Sequence, residues 1–310
     1  MNVKPSLDEL FERRMSFPDF EPQERLARLV GLDDQKDRLT KVLGLLVNPF
    51  GLQDWAERHH PQARPAIDTV LRRPPLAILA GDVGSGKTEL AETIGDAVAR
   101  QEGIDITLFP LSLATRGQGR VGEMTQLVSA AFDYTIEAAE KLKNRNGKAK
   151  GAVLLLIDEA DALAQSRENS QMHHEDRAGV NAFIRGIDRI ANQKLPAAVL
   201  MCTNRLKALD PAVQRRAAEV LTFARPNEVQ RKYLLKTKLD GLGLGVQVIE
   251  ELVKLTGPRG VDSPGFTFSD INQRLIPAIV LSAYPRAAVD ARTALLTAKA
   301  MAPTPAFQDR

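Results

Sequence analysis

The sequence predicts an α/β protein: a five-stranded parallel sheet sandwiched by helices, with a small helical domain at its carboxyl end. Three observations carry this. Short runs that are apolar on both faces alternate with helix-patterned segments, as buried parallel strands do. A glycine-rich loop, GDVGSGKT, follows the first of those runs and opens a helix pattern. After Pro226 the strand-like runs stop and only helical periodicity continues.

Residues 1–25 are polar and carry Pro5, Pro18 and Pro22, which predicts an arm: a short helix over SLDELFERRM, then extended chain. From Leu26, LARLVGLDDQKDRLTKVLGLL has helical spacing, broken at Gly31 and stopped by Asn48-Pro49. WAERHH is also helical in pattern. Five strands follow: LAILA (76–80), ITLFPL (106–111), AVLLLI (152–157), AVLM (198–201) and EVLTF (219–223). Between them TELAETIGDAVARQ, GEMTQLVSAAFDYTIEAAEKL and RAGVNAFIRGIDRIAN supply crossover helices. Residues 26–225 are thus expected to form one large domain. Four further helix patterns, beginning NEVQRKYLL, VQVIEEL, TFSDINQ and RAAVDAR, make a small domain over 226–300. The end, 301–310, has two more prolines and is expected to be a loose tail.

Composition narrows the class. Lys and Arg outnumber Asp and Glu by 42 to 39, and a charge of +3 on this length is too weak a field to argue for nucleic acid. One cysteine, Cys202, excludes an internal disulfide and fits a reducing compartment. The charged amino terminus lacks a signal-peptide core, and no apolar run nears the ~20 residues that span a bilayer, so a cytoplasmic protein is expected.

The chemistry concentrates at strand ends. GDVGSGKT places Gly81, Gly86, Lys87 and Thr88 in the GxxxxGK[ST] pattern. Its glycines let backbone N–H groups turn toward phosphate oxygens, and the helix start adds a positive dipole end. Val83, Gly84, Ser85 and Glu89 complete the predicted phosphate cradle. Lys87 would reach the β- and γ-phosphates of ATP, and Thr88 would ligate Mg²⁺. LLLIDEAD ends a strand in Asp158 and Glu159: one carboxylate to hold Mg²⁺ with Thr88, the other to polarise the attacking water. One strand intervenes in sequence between this strand and the loop strand, which predicts that the two are neighbours in the sheet. Asn204 closes AVLMCTN, placed to touch the γ-phosphate and the water. Arg215 and Arg216, in LDPAVQRRAA, can help only by reaching the nucleotide of a neighbouring subunit; otherwise they are surface arginines.

Together these segments resemble the AAA+ superfamily across about residues 26–290. LVGLDDQKDRL resembles the opening segment whose backbone at Val30 and Gly31 flanks the adenine. GDVGSGKT resembles Walker A, LLLIDE Walker B, CTN sensor 1, and LDPAVQRR the arginine-finger segment with Arg215 on the matching position. The second arginine of many members is Ala218 here. Arg274, in GFTFSDINQRLIPA, falls on the sensor 2 helix, as a γ-phosphate contact or a solvated helix arginine. SLATRGQGRVGEMTQLV resembles the first pore loop of protein-remodelling members, though Arg120-Val121-Gly122-Glu123 has no aromatic, which implies grip by Val121 and charge. SQMHHED resembles a second pore loop carrying His173 and His174; as metal ligands these adjacent histidines, like His59 and His60, point apart and have no cysteine cluster beside them.

LLLIDEADALAQSR, RAGVNAFIRGIDRI and CTNRLKALDPAVQRRAAEVLTFARPNEVQRKYLL resemble the pachytene-checkpoint ATPases, which remodel HORMA-domain proteins. With about 25 residues before the module, the chain is similar to bacterial members acting in antiphage signalling by cyclic oligonucleotides. The resemblance implies a homo-hexamer, ATP, Mg²⁺, and a HORMA-domain substrate bound to a nucleotidyltransferase. Two other readings compete. A DNA-linked AAA+ ATPase, a loader or transposition helper, draws on the pI near 9.0 and on Lys141, Lys143, Lys148 and Lys150. A nucleotide-gated scaffold that hardly turns over is opposed by the intact Asp158, Glu159 and Lys87.

Overall fold

The computed structural model describes residues 10–11, 13–112, 123–144, 148–163, 174–260 and 264–306. These fall into two compact units. One gathers the amino-terminal segment up to Arg28 with Asp33–Ala80 and Thr88–Thr222; the other gathers Leu29–Leu32, Gly81–Lys87 and the chain from Phe223 onward.

The first unit is built on a mixed, mostly parallel sheet. Its strands are β1 (Met15–Phe17), β2 (Leu76–Gly81), β3 (Asp105–Ser112), β4 (Gly151–Asp158), β5 (Ala197–Thr203) and β6 (Glu219–Phe223), in the order β1-β3-β4-β5-β2-β6. β3, β4, β5 and β2 pair in parallel. LAILAG, GAVLLLID and AAVLMCT are buried almost end to end, because helices cover both faces. Those helices include α1 (Phe20–Ala27), α2 (Asp33–Val47), α3 (Pro49–His59), α4 (Arg64–Leu71), α5 (Lys87–Glu102), α6 (Glu123–Leu142) and α7 (His174–Gln193). α6 and α7 meet through an edge-to-face pair, Phe132 and Phe183, at 5.6 Å. Gly186 makes room for it: a Cβ there would lie 2.3 Å from the Phe132 ring.

Two expectations are corrected here. The five strands are present, but a sixth, β1, lies in the predicted arm and pairs antiparallel with β3. Leu10 and Phe11 are also buried, and Phe11 stacks on Phe109 at 4.8 Å. The arm is therefore partly core. Its signal is weak because a three-residue edge strand buries only Met15 and Phe17 and leaves Ser16 exposed. The second correction concerns neighbours. The strand carrying Asp158 does not adjoin the loop strand: β5 lies between β4 and β2. A crossover helix can deliver the next parallel strand to different places in a sheet, so chain order does not set lateral order. The register still aligns the carboxyl ends, with Ala80 opposite Thr203 and Met201 opposite Ile157.

The second unit is helical, with α9 (Glu228–Lys238), α10 (Val246–Leu255), α11 (Ile276–Ala283) and α12 (Ala291–Ala300); α8 (Pro211–Gln214) belongs to the first. Leu234, Leu235, Leu252, Ile271, Leu275 and Ile279 form its core. Asn227 and Gln230 close a reciprocal capping box at the start of α9. One turn over Asp270–Leu275 is π-helical. The chain end is tied down as far as Thr304, whose N–H and hydroxyl donate to Asp270 at 3.0 and 2.7 Å.

Candidate active site

The loop that follows β2 is held in shape by its own backbone and side chains. Gly81 sits so close to β6 that a Cβ would lie 2.1 Å from the Phe223 carbonyl oxygen. Gly84 and Gly86 have φ of +71° and +95°, which side chains resist. The buried Ser85 hydroxyl donates to the Asp82 carbonyl at 2.7 Å. Lys87, 7% exposed, donates its ammonium to the carbonyls of Gly81 and Asp82 at 2.9 and 2.8 Å. A phosphate oxygen is a stronger acceptor for that ammonium than a neutral carbonyl. Val83 is exposed at the crown of the loop, and the Gly84 carbonyl accepts the Ser269 N–H at 3.1 Å. In the same unit Val30 packs on the helical core, and Gly31, at φ +71°, accepts from Gln230 Nε2 at 3.0 Å.

Thr88 is exposed at the head of α5. Glu89, one residue on, has its carboxylate engaged by Arg25, with Nε and Nη2 donating at 2.8 and 2.9 Å. Arg25 also holds Glu92 at 2.7 Å. The Glu89 bond is the main reason the Arg25 guanidinium is held above its ordinary pKa, against the opposing effect of burial.

At the end of β4 the Asp158 carboxylate accepts the Glu159 N–H at 2.8 Å. Glu159 itself is exposed with φ of +51°, a left-handed backbone that costs energy in a non-glycine residue. Asp161, three residues past Asp158, is a residue the sequence reading missed. Its Oδ1 accepts the Thr203 hydroxyl at 2.6 Å and the Asn204 N–H at 3.0 Å, and its Oδ2 accepts Asn204 Nδ2 at 3.1 Å. Asn204 is thereby fixed to the segment that carries Asp158 and Glu159.

The two arginines after α8 are sorted by the fold. Arg216 makes a two-pronged pair with Asp188 of α7, at 2.8 and 3.0 Å, and that bond raises its pKa. Arg215 is exposed; its backbone N–H donates to the Pro211 carbonyl at 3.0 Å, but its guanidinium has no hydrogen-bond or ion-pair partner among the described residues. Arg274 donates to the fully buried Asp270 at 2.6 Å, a bond from one helical turn to the next.

Arg120, Val121, Gly122 and His173 lie outside the described residues. Glu123 and His174 are described only as the first residues of α6 and α7. Among the described residues no group of His, Cys, Asp and Glu side chains could enclose a metal, and no helix is long and apolar enough to cross a membrane. Trp55 lies against His60 and His59, at ring distances of 4.9 and 5.9 Å.

Residues 77–225 match the family described as "ATPase family associated with various cellular activities (AAA)". The chain is 82% identical over 310 residues, the full length of both proteins, to "CD-NTase-associated protein 6" of Escherichia coli strain MS 115-1. It is similar to a chain of the "E. coli MS115-1 HORMA:CdnC:Trip13 complex", with 79% identity, a TM-score of 0.91, and coverage of 99% of this chain and 100% of that one. It also resembles "Rhizobiales Trip13", at 55% identity and a TM-score of 0.73, over 95% of this chain and 99% of that one.

Proposed function

Since the chain belongs to the AAA ATPase family of CD-NTase-associated protein 6, we propose that it is an ATP-driven ring motor that remodels a HORMA-domain protein in antiphage signalling. What carries the reading is that a chain alike over its whole length was solved with a HORMA protein and CdnC. The substrate is then a HORMA-domain protein bound to a nucleotidyltransferase, and the working form is a homo-hexamer.

Each residue has a role in this reading. The large ATPase domain, 26–225, takes the nucleotide, and 226–300 forms its lid. Loop N–H groups and the Lys87 ammonium hold the phosphates, while the backbone at Val30 and Gly31 flanks the adenine. Thr88 and Asp158 are hard oxygen donors suited to Mg²⁺, which when bound spreads the charge developing on the phosphates. Glu159 takes a proton from the attacking water, and Asn204 orients that water. Arg215, left unpaired by its own subunit's described residues, stabilises the transferring phosphoryl group on the next subunit. Arg120, Val121, Gly122, Glu123, His173 and His174 line the pore and push on the substrate chain. Arg274 contacts the γ-phosphate in cis once it exchanges its bond to Asp270 for that one.

The test is ATP turnover and particle mass with and without a candidate HORMA protein, using Glu159→Gln to trap the bound state. A stable ring holding the HORMA protein in the presence of ATP is expected. A wild type that neither hydrolyses ATP nor forms a ring refutes the motor. A Glu159→Gln variant that retains DNA and no protein refutes the remodeller.

A further inference from the structure

Asp82 occupies a position the phosphate-loop pattern leaves open, and it sets a carboxylate inside a loop meant for polyphosphate. Unanswered, that charge would repel the ligand. Arg225, two residues past β6, answers it. Its Nε donates to Asp82 Oδ2 at 2.7 Å, its Nη2 lies 2.7 Å from the same oxygen, and its Nη1 donates to the Gly265 carbonyl at 2.6 Å. The two side chains are only 13% and 18% exposed, so water screens the pair weakly. Asp82 is also the knot of the loop's first turn. Its Oδ1 accepts the Val83 N–H at 2.9 Å, and its carbonyl accepts both Lys87 and Ser85.

We propose that Arg225 is a positioning residue for ATP, which neutralises Asp82 and fixes the first turn of the phosphate loop so that the triphosphate meets a shaped loop with no unanswered carboxylate. The proposal rests on reading Gly81–Thr88 as the ATP phosphate loop. Arginine suits the task because one planar fork reaches both Asp82 and Gly265. A lysine presents one point charge and cannot span the two acceptors with the same fixed geometry. Pro226 follows at once and disfavours helical backbone at Arg225.

The test uses the full chain, with a fluorescent ATP analogue titrated by anisotropy, ATPase KM and kcat, and thermal melting. Arg225→Gln leaves Asp82 bare, and affinity is expected to fall about tenfold or more, in KM more than in kcat. Asp82→Asn alone removes a negative charge beside the phosphates and is expected to tighten binding. The double variant is expected to return to within about threefold of wild type, because the carboxylate that Arg225 answers is gone. A double variant as weak as Arg225→Gln overturns the proposal in favour of simple packing, and so does an Arg225→Gln within about twofold of wild type. Should Arg225→Gln melt below the assay temperature, Asp82→Asn decides: weaker binding overturns the proposal. A wild type that fails to bind the analogue removes the phosphate-loop reading itself, and is recognised by that.

Discussion

Replacing Asp161 by alanine should uncouple Asn204 from the segment it serves. The carboxylate accepts three hydrogen bonds, at 2.6, 3.0 and 3.1 Å. One comes from the hydroxyl of Thr203, a residue 1% exposed, and that hydroxyl has no other acceptor among the described residues. A buried donor left without an acceptor costs about 1–3 kcal/mol, and the two partly exposed Asn204 N–H groups add about 0.5–1 kcal/mol once water replaces the carboxylate. The total is a stability loss of about 1.5–4 kcal/mol, read by urea unfolding of the protein without nucleotide. The catalytic effect is separable. A well-aimed polar group at the transferring phosphoryl is worth about 100-fold or more in kcat, so an Asn204 that is free to swing should lower kcat about 10- to 100-fold. KM for ATP should move little, since the phosphate loop is untouched. Asn204→Ala sets the ceiling, and adding Asp161→Ala to it should lower kcat no further. Multiplying losses in the double variant, or a single Asp161→Ala with kcat within about twofold of wild type, would refute the argument that Asp161 acts through Asn204.

Arg215→Ala should lower kcat about 1000-fold while melting as wild type does, because the side chain is exposed and bonds to none of the described residues. Arg216→Ala should instead match Asp188→Ala, each costing about 0.5–1 kcal/mol in unfolding, because the pair is partly exposed at 32% and 45%. Gly186→Ala should cost about 1–3 kcal/mol by driving a methyl into the Phe132 ring, and Phe132→Leu in the same chain should recover part of that in a thermal melt. Asp270 makes the helical unit acid-sensitive. Burial pushes its pKa up, but bonds from Thr267, Thr304 and Arg274 outweigh that and hold it below the ordinary value. Its stabilisation is thus complete above about pH 3.9 and is lost as pH falls through the lower folded-state value. Asp270→Asn should flatten that acid limb of the unfolding curve.

The fold's local grammar was legible, and its lateral arrangement was not. LAILA, AVLLLI and AVLM announce buried strands because helices on both faces demand apolar residues on both faces. GDVGSGKT announces a tight turn into a helix because a helix start and two left-handed glycines are local needs. Nothing local says that β5 inserts between β4 and β2, since lateral order depends on the path of the crossover connections. The same boundary divides the site. Asp161 finds Thr203 and Asn204 some 42 and 43 positions away, and Arg225 finds Asp82 at 143. Arg215 and Arg216 are equivalent as letters. Adjacent residues at the end of a helical turn point about 100° apart, so one meets Asp188 and the other faces outward. The motif residues are those that must meet a ligand, and their types follow from its chemistry. The residues that aim them answer to partners far along the chain, where only the packed fold decides. Arg216 shows the consequence for any active site shared between subunits. A charged side chain already satisfied within its own subunit is withdrawn from such an interface, and Arg215, whose side chain the described residues leave unpaired, is the one we propose to act across it.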